Sequence, residues 1–309
     1  MALFLGWTFE RDIASWVIES TWVRRIKTFE SPVLREGDAY WLALPQGKLE
    51  RLVGVTTIID RALVVDDPDT LLMRKLQRRR AREQEKNLYG KRRRKRTGAR
   101  KIPLAVSPQS PLEALKGREL GNLVHRQLLD VLTSQTYEQF RDRPGNSLGI
   151  HPYVPRVIKY LLKLGVRPFL AEFRVHDLRI QCATQIDMLA VDAVGRIAFI
   201  ELKTGYSGGR YNEEHKGETW INPALARHGT AFLCTPRNKA IVQVLLGAEM
   251  CIRELQIPRN MTRYIVLRID KEGHSRSCFT SKDYAVIQQE VYASLENIVA
   301  HLDKRMLGR

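Results

Sequence analysis

Asp187, Glu201 and Lys203 fall within one stretch, Gln185 to Gly205, that reads QIDMLAVDAVGRIAFIELKTG. Two carboxylates and an ammonium gathered at the end of a buried apolar hairpin are costly unless something compensates their desolvation. A divalent cation does this. Mg²⁺ prefers one or two carboxylates together with waters and substrate phosphates, and a lysine beside it can hold or deprotonate an attacking water. The plainer alternative is a solvated strand end on which Glu201 and Lys203 pair with each other.

The elements that must position these groups can be read from the same stretch. Ile186 to Val191 is an apolar run broken by one carboxylate, and Ile197 to Lys203 is a second run ending in Glu-Leu-Lys. Both read as strands. Asp192-Ala193-Val194-Gly195-Arg196 has the length and the glycine of a short turn, so the strands are expected to pair antiparallel. Side chains alternate along a strand, which sends Glu201 and Lys203 to one face and Leu202 to the other. The hairpin brings Asp187 back to the same end of the sheet.

Two further elements lie upstream. A helix starting at Ser110-Pro111-Leu112-Glu113, with serine as N-cap, proline at the first position and glutamate at the third, is expected to run to about Leu132. Gly117, Gly121 and His125 share one face of it, and glycines there let the helix approach a backbone or a ligand closely at a cost of about 1 kcal/mol each relative to alanine. A lone helical histidine is otherwise an ordinary hydrogen-bonded structural residue. Val154 to Leu164 is a second helical stretch, leading into an alternating strand, Phe169 to Val175, that carries Glu172. A helix followed by three strands bearing the carboxylates is the order of a small mixed sheet flanked by helices.

Ile-Asp, a hairpin and Glu-x-Lys resemble the core of the PD-(D/E)XK nucleases, and the wording Glu-Leu-Lys-Thr-Gly is similar to the RecB-like exonuclease branch. That branch also carries a Gly-x-x-x-His helix and a glutamate strand upstream of the aspartate. Gly121 to His125 and the Glu172 strand stand in those places. The resemblance implies an α/β fold of the PD-(D/E)XK type, a small central mixed sheet flanked by helices. It implies a Mg²⁺- or Mn²⁺-dependent deoxyribonuclease, most simply an exonuclease acting in replication, recombination or repair, alongside proteins of those processes. Asp187, Glu201 and the Leu202 carbonyl would hold the metal, with Glu172 and His125 completing a second position. Lys203 would orient and activate a water, the metal would stabilise the leaving 3′ oxygen, and the products would carry 5′-phosphate and 3′-hydroxyl ends.

The chain has 309 residues and a net charge of +17, unevenly spread. From Arg74 to Lys101, 15 Lys and Arg stand against Glu83 and Glu85, so this segment carries +13 of the charge and the rest only +4. Such a segment suits contact with a polyanion, DNA as a single strand or a duplex end, through Arg78, Arg79, Arg80 and Arg82 and through Lys91, Arg92, Arg93, Arg94, Lys95 and Arg96. It also reads as a solvated charge run, or as a nuclear import signal in Lys91 to Arg96. A helix is expected from Thr70, losing its apolar stripe after Leu76, and in RecB-like relatives helices here arch over the active site. The expected organisation is therefore an N-terminal region over 1–69, a basic helical arch over 70–101 and the nuclease core over 102–309.

No apolar run approaches membrane-spanning length, and Met1 to Trp7 is too short for a signal peptide, so a soluble intracellular protein without membrane contact is expected, nuclear if eukaryotic or viral and otherwise cytoplasmic. The four cysteines, Cys182, Cys234, Cys251 and Cys278, are dispersed and suggest neither zinc, nor an iron–sulfur cluster, nor a disulfide framework.

The remaining segments read more plainly. Ala39 to Leu44 and Leu49 to Gly54, parted by Pro45 to Lys48, form a hairpin. Val55 to Ile59 is a β-branched strand or helix start, similar to the beginning of the nuclease domain in mitochondrial and phage RecB-like exonucleases. Arg141 to Gly149 is a loop. Tyr206 to Trp220 is a glycine-rich loop in which Arg210 and Tyr211 can meet a nucleic acid, by charge and by stacking, or simply lie exposed. Thr230 to Thr235 and Tyr264 to Ile269 read as strands, and Asn238 to Leu255 as a helix. RecB-like members often place Gln-x-x-x-Tyr there to hold substrate; Gln243 matches, whereas Gly247 stands at the tyrosine position. A C-terminal helix after Thr280 carries an apolar stripe through Tyr284, Ile287, Val291, Leu295 and Ile298. Two other classes fit the same residues: a nucleic-acid-binding scaffold that keeps the fold without cleaving, and a packaging component using 74–101 as a charged tail.

Overall fold

A computed structural model describes residues 21–37, 39–59, 64–66, 115, 117–134, 136–204, 218–220, 234–269, 275–279 and 291. In chain order these form α1 (Thr21–Lys27), β1 (Val33–Glu36), β2 (Ala39–Ala43), β3 (Leu49–Gly54), α2 (Val55–Ile58), β4 (Val64–Asp66), α3 (Gly117–Thr133), α4 (Tyr137–Arg141), α5 (Tyr153–Lys163), β5 (Val166–Asp177), β6 (Cys182–Asp192), β7 (Ile197–Thr204), β8 (Glu218–Trp220), α6 (Pro236–Leu255), β9 (Thr262–Ile269) and β10 (Ser275–Phe279). The basic arginines and lysines of 70–101, Arg210, Tyr211 and the helix cap at Ser110 lie outside the described residues.

The chain is α/β, with one open mixed sheet flanked by helices. Seven strands follow the order β1-β2-β3-β6-β7-β9-β10, and β5 pairs along the other edge of β6. The expected central hairpin is present, with Met188 opposite Ile200 and Val191 opposite Ile197. Asp192 closes its turn: one carboxylate oxygen accepts from the amides of Val194 (3.1 Å) and Arg196 (2.9 Å), and the other accepts from Arg196 Nε (2.7 Å). β9 lies parallel to β7, and β3 meets β6 in parallel at Val53 and Cys182. The hairpin β2–β3 forms as expected, antiparallel and turned at Pro45–Gly47, and β1 adds to it. Strands β4 and β8 make a separate two-stranded ribbon.

Alternation along β7 and β9 sorts the core into two layers. Phe199 and Val266 pack toward α6, α1 and α2, while Ile200, Leu202 and Leu267 pack toward α3, α4 and α5. In α3, Leu120, Val124, Leu128 and Val131 recur at helical spacing and form the buried stripe. Val291 is buried in the α6-side layer; the other stripe positions of the C-terminal helix lie outside the described residues.

Three expectations need adjustment. The helix carrying His125 begins at Gly117, whose φ of +58° is left-handed, and Leu115 before it is not helical, so the helix does not extend back through these positions; the start expected at Ser110 lies outside the described residues. Val55 to Ile58 takes the helical option, one turn directly after β3. Cys234 and Thr235 are not strand: the Thr235 hydroxyl caps α6, accepting from Asn238 N at 3.1 Å, which starts that helix at Pro236. The rest of the strand expected over Thr230 to Thr235 lies outside the described residues.

Candidate metal centre

The site forms where β6 and β7 part. Their ladder ends at Met188 and Ile200, and beyond it the Asp187 carboxylate takes the place of a strand partner, its Oδ2 accepting from Leu202 N–H at 2.7 Å. That bond locks the carboxylate and turns Oδ1 toward His125, whose Nδ1 is 3.4 Å away. On the other edge of β6, Ala171 stands opposite Met188 and Phe173 opposite Ile186, so Glu172 faces Asp187 across the strands. Glu172 has φ of +56°, a left-handed conformation in the middle of a strand that costs a non-glycine residue about 1 kcal/mol or more. Its Oε1 accepts from His125 Nδ1 at 3.0 Å.

His125, Glu172 and Asp187 thus offer three ligand atoms within 4.8 Å of one another. One imidazole nitrogen and two carboxylate oxygens are a donor set that suits a divalent cation such as Mn²⁺ or Mg²⁺. Burial opposes the charge on His125, but the Asp187 charge, the Glu172 hydrogen bond and the Glu201 charge outweigh it and raise its pKa to about 9.

Glu201 stands beside this group rather than within it. It is only 3% exposed, and its Oε1 accepts from Lys203 Nζ at 2.5 Å. The same ammonium donates to Gln243 Oε1 on α6 at 3.2 Å. Burial first, and then the neighbouring Asp187 charge, push the Glu201 carboxyl above the usual range, against the pull of Lys203. The expectation that Glu201 and Lys203 share a face is borne out by their direct bond, and Leu202 packs into the opposite core layer.

All these groups line one open cleft of about 1040 Å³, together with Gly117, Gly121 and Gln243. The glycine face of α3 is used as its sequence implied: a Cβ at Gly121 would come within 3.1 Å of Thr204 Oγ1 at the end of β7. Gly247 explains the missing tyrosine, since a Cβ there would lie 3.2 Å from Thr184 Cγ2 and 3.3 Å from Ile186 Cγ1. Helix α6 lies so close to β6 at that position that even a Cβ would require Thr184 or Ile186 to give by a few tenths of an ångström.

Four cleft arginines escaped the sequence reading: Arg35, Arg118, Arg126 and Arg174. Arg174 follows Glu172 by two in a strand and Arg118 precedes His125 by seven in a helix, so both periodicities pointed to them. Arg35 comes from β1, and only the sheet topology brings it here.

No protein-family model and no curated protein matches the chain. Among the described residues, no helix is long and apolar enough to cross a membrane.

Proposed function

We propose that this chain is a divalent-metal-dependent nuclease that hydrolyses phosphodiester bonds in DNA, built on the PD-(D/E)XK nuclease fold that its sequence resembles. The observation that carries the reading is the convergence of His125, Glu172 and Asp187 within 4.8 Å, beside the Lys203–Glu201 pair, in a cleft that also holds four arginines. A bound Mg²⁺ or Mn²⁺ supplies charge neutralisation at the scissile phosphate and lowers the pKa of the attacking water.

The protein's own residues do the rest. Asp187, fixed by Leu202 N–H, and Glu172, fixed by its backbone, present carboxylate oxygens at set positions, and His125 adds its nitrogen. Lys203 is held by Glu201 and Gln243 at the cleft wall, where its ammonium orients a water, and the water's proton goes to the ionised Glu201 carboxylate, whose raised pKa suits it to accept it. The arginines that line the cleft suit contact with a phosphate backbone. Exonuclease action on a single strand or a duplex end is the form of this activity that the RecB-like resemblance favours.

The test uses purified protein with 5′-labelled and 3′-labelled DNA, single and double stranded, in Mg²⁺, in Mn²⁺ and in EDTA. Metal-dependent degradation, abolished by EDTA and reduced at least 100-fold on the order of a lost catalytic group in D187A, supports the reading and gives the polarity. Tight, salt-sensitive DNA binding with no cleavage in any arm replaces it with a binding scaffold.

A further inference from the structure

Arg35 is the cleft arginine whose surroundings are most fully defined. It stands directly opposite Tyr40 in the β1–β2 register, and its guanidinium lies 5.8 Å from the centre of that ring. Its Nε donates to the Gly37 carbonyl at 3.0 Å. The ring and the carbonyl hold the stem of the fork, and NH1 then reaches to 3.8 Å from Glu172 Oε2. The other Glu172 oxygen is the one bonded to His125. Glu172 therefore lies between two cations, one a ligand of the candidate metal centre and the other an arginine on the cleft rim.

At 3.8 Å the Arg35–Glu172 contact is an attraction without a hydrogen bond, and both side chains keep some exposure. Such a contact is weak enough to yield. A divalent cation and the Arg35 guanidinium are both drawn to the charge of Glu172, and they repel one another across it. Arg35 also has the planar fork that takes phosphate oxygens two at a time.

We infer that Arg35 is a resident counter-charge for Glu172 in the metal-free protein and becomes a backbone-phosphate contact for a nucleic-acid substrate once a divalent cation takes Glu172. The inference rests on the metal reading given above. Its consequence is a pair of effects with opposite sign. Removing the guanidinium removes a competitor of the metal and, in the same stroke, a ligand of the substrate. An arginine that merely supported the β1–β2 hairpin would weaken both bindings or neither.

The experiment uses the full chain in a K203A background, so that DNA survives, and compares it with R35Q and R35K made in that background. Mn²⁺ affinity is read from the electron paramagnetic resonance signal of free Mn²⁺. Affinity for a short fluorescent single-stranded oligonucleotide is read by anisotropy at saturating Mn²⁺ and several salt concentrations. R35Q is expected to bind Mn²⁺ about two- to fivefold more tightly, the scale of one partly exposed charge pair. It is expected to bind the oligonucleotide about three- to tenfold more weakly, with the salt slope smaller by about 0.7. R35K keeps the charge, so its Mn²⁺ affinity is expected to stay within about twofold of the parent. Unchanged or weaker Mn²⁺ binding in R35Q, where the parent binds Mn²⁺, overturns the inference while leaving the metal centre intact, as does unchanged oligonucleotide binding. A parent that binds no Mn²⁺ overturns the metal reading and this inference with it.

Discussion

Glu172 can be replaced in two ways that separate its backbone from its carboxylate. Both E172A and E172G remove the group that holds His125 at 3.0 Å, so the two variants share that loss. They differ in what φ of +56° requires. In an ordinary strand interior, glycine is less stable than alanine by about 0.5–1 kcal/mol, because it gives up more backbone entropy. At a left-handed position alanine carries a steric penalty of about 1–2 kcal/mol that glycine does not. The structure therefore reverses the usual order: E172G is expected to be more stable than E172A by about 1 kcal/mol. Urea denaturation of the metal-free proteins at pH 7 measures the difference, which for a chain of this size corresponds to a shift in melting temperature of about 2 °C. If E172A proves the more stable, by the margin normal for strands, then Glu172 is not held in a strained backbone and its aim into the cleft has another cause.

Three further outcomes are expected. In metal-free protein, the His125 ring titrates by NMR with a midpoint of about 9, and E172Q lowers that midpoint. Because the folded-state value is the higher one, the stability contributed by charged His125 is complete below about pH 6.5 and disappears as pH rises through about 9, which denaturation across that window checks. K203M leaves the Glu201 carboxyl, 3% exposed, without its ammonium, at a cost that grows above about pH 8, where the paired carboxyl ionises, to about 1–3 kcal/mol at pH 9 to 10. The loss shrinks toward pH 5, because Glu201 has its pKa raised in the folded state and escapes the penalty by taking up a proton; equal losses at both pH values contradict the pairing. In α6, G247A is expected to lose the roughly 1 kcal/mol that alanine normally gains in a helix, since its Cβ meets Thr184 and Ile186, and G247Y is expected not to fold, as judged by circular dichroism.

The parts of the site that were legible in the sequence are those governed by short periodicities. Glu201 and Lys203, two apart in a strand, had to share a face, and they bond to each other. Gly121 and His125, four apart in a helix, had to share another, and both line the cleft. The α/β class and the mixed, helix-flanked sheet followed from the order of elements in the same way. What could not be read depends on long-range closure. Nothing local shows that the β6–β7 ladder stops at Met188, leaving Leu202 N–H for Asp187. The left-handed turn of Glu172 is equally silent, because glutamate carries no signal for positive φ as glycine or asparagine does. The close triad is His125, Glu172 and Asp187, while Glu201, expected beside Asp187 as a metal ligand, places one carboxylate oxygen on Lys203. Arg35 reaches the cleft only because β1 joins β2, β2 joins β3, and β3 meets β6.

Everything proposed for the cleft depends on a divalent cation held by His125, Glu172 and Asp187. Crystals of the full chain grown with Mn²⁺, with anomalous data collected at the manganese edge, test this directly. The account predicts an anomalous peak lying among the His125 imidazole nitrogen and the Glu172 and Asp187 carboxylate oxygens, lost in crystals of D187A. Crystals in which the cleft stays without manganese, with the His125–Glu172 hydrogen bond intact at millimolar Mn²⁺, would contradict it.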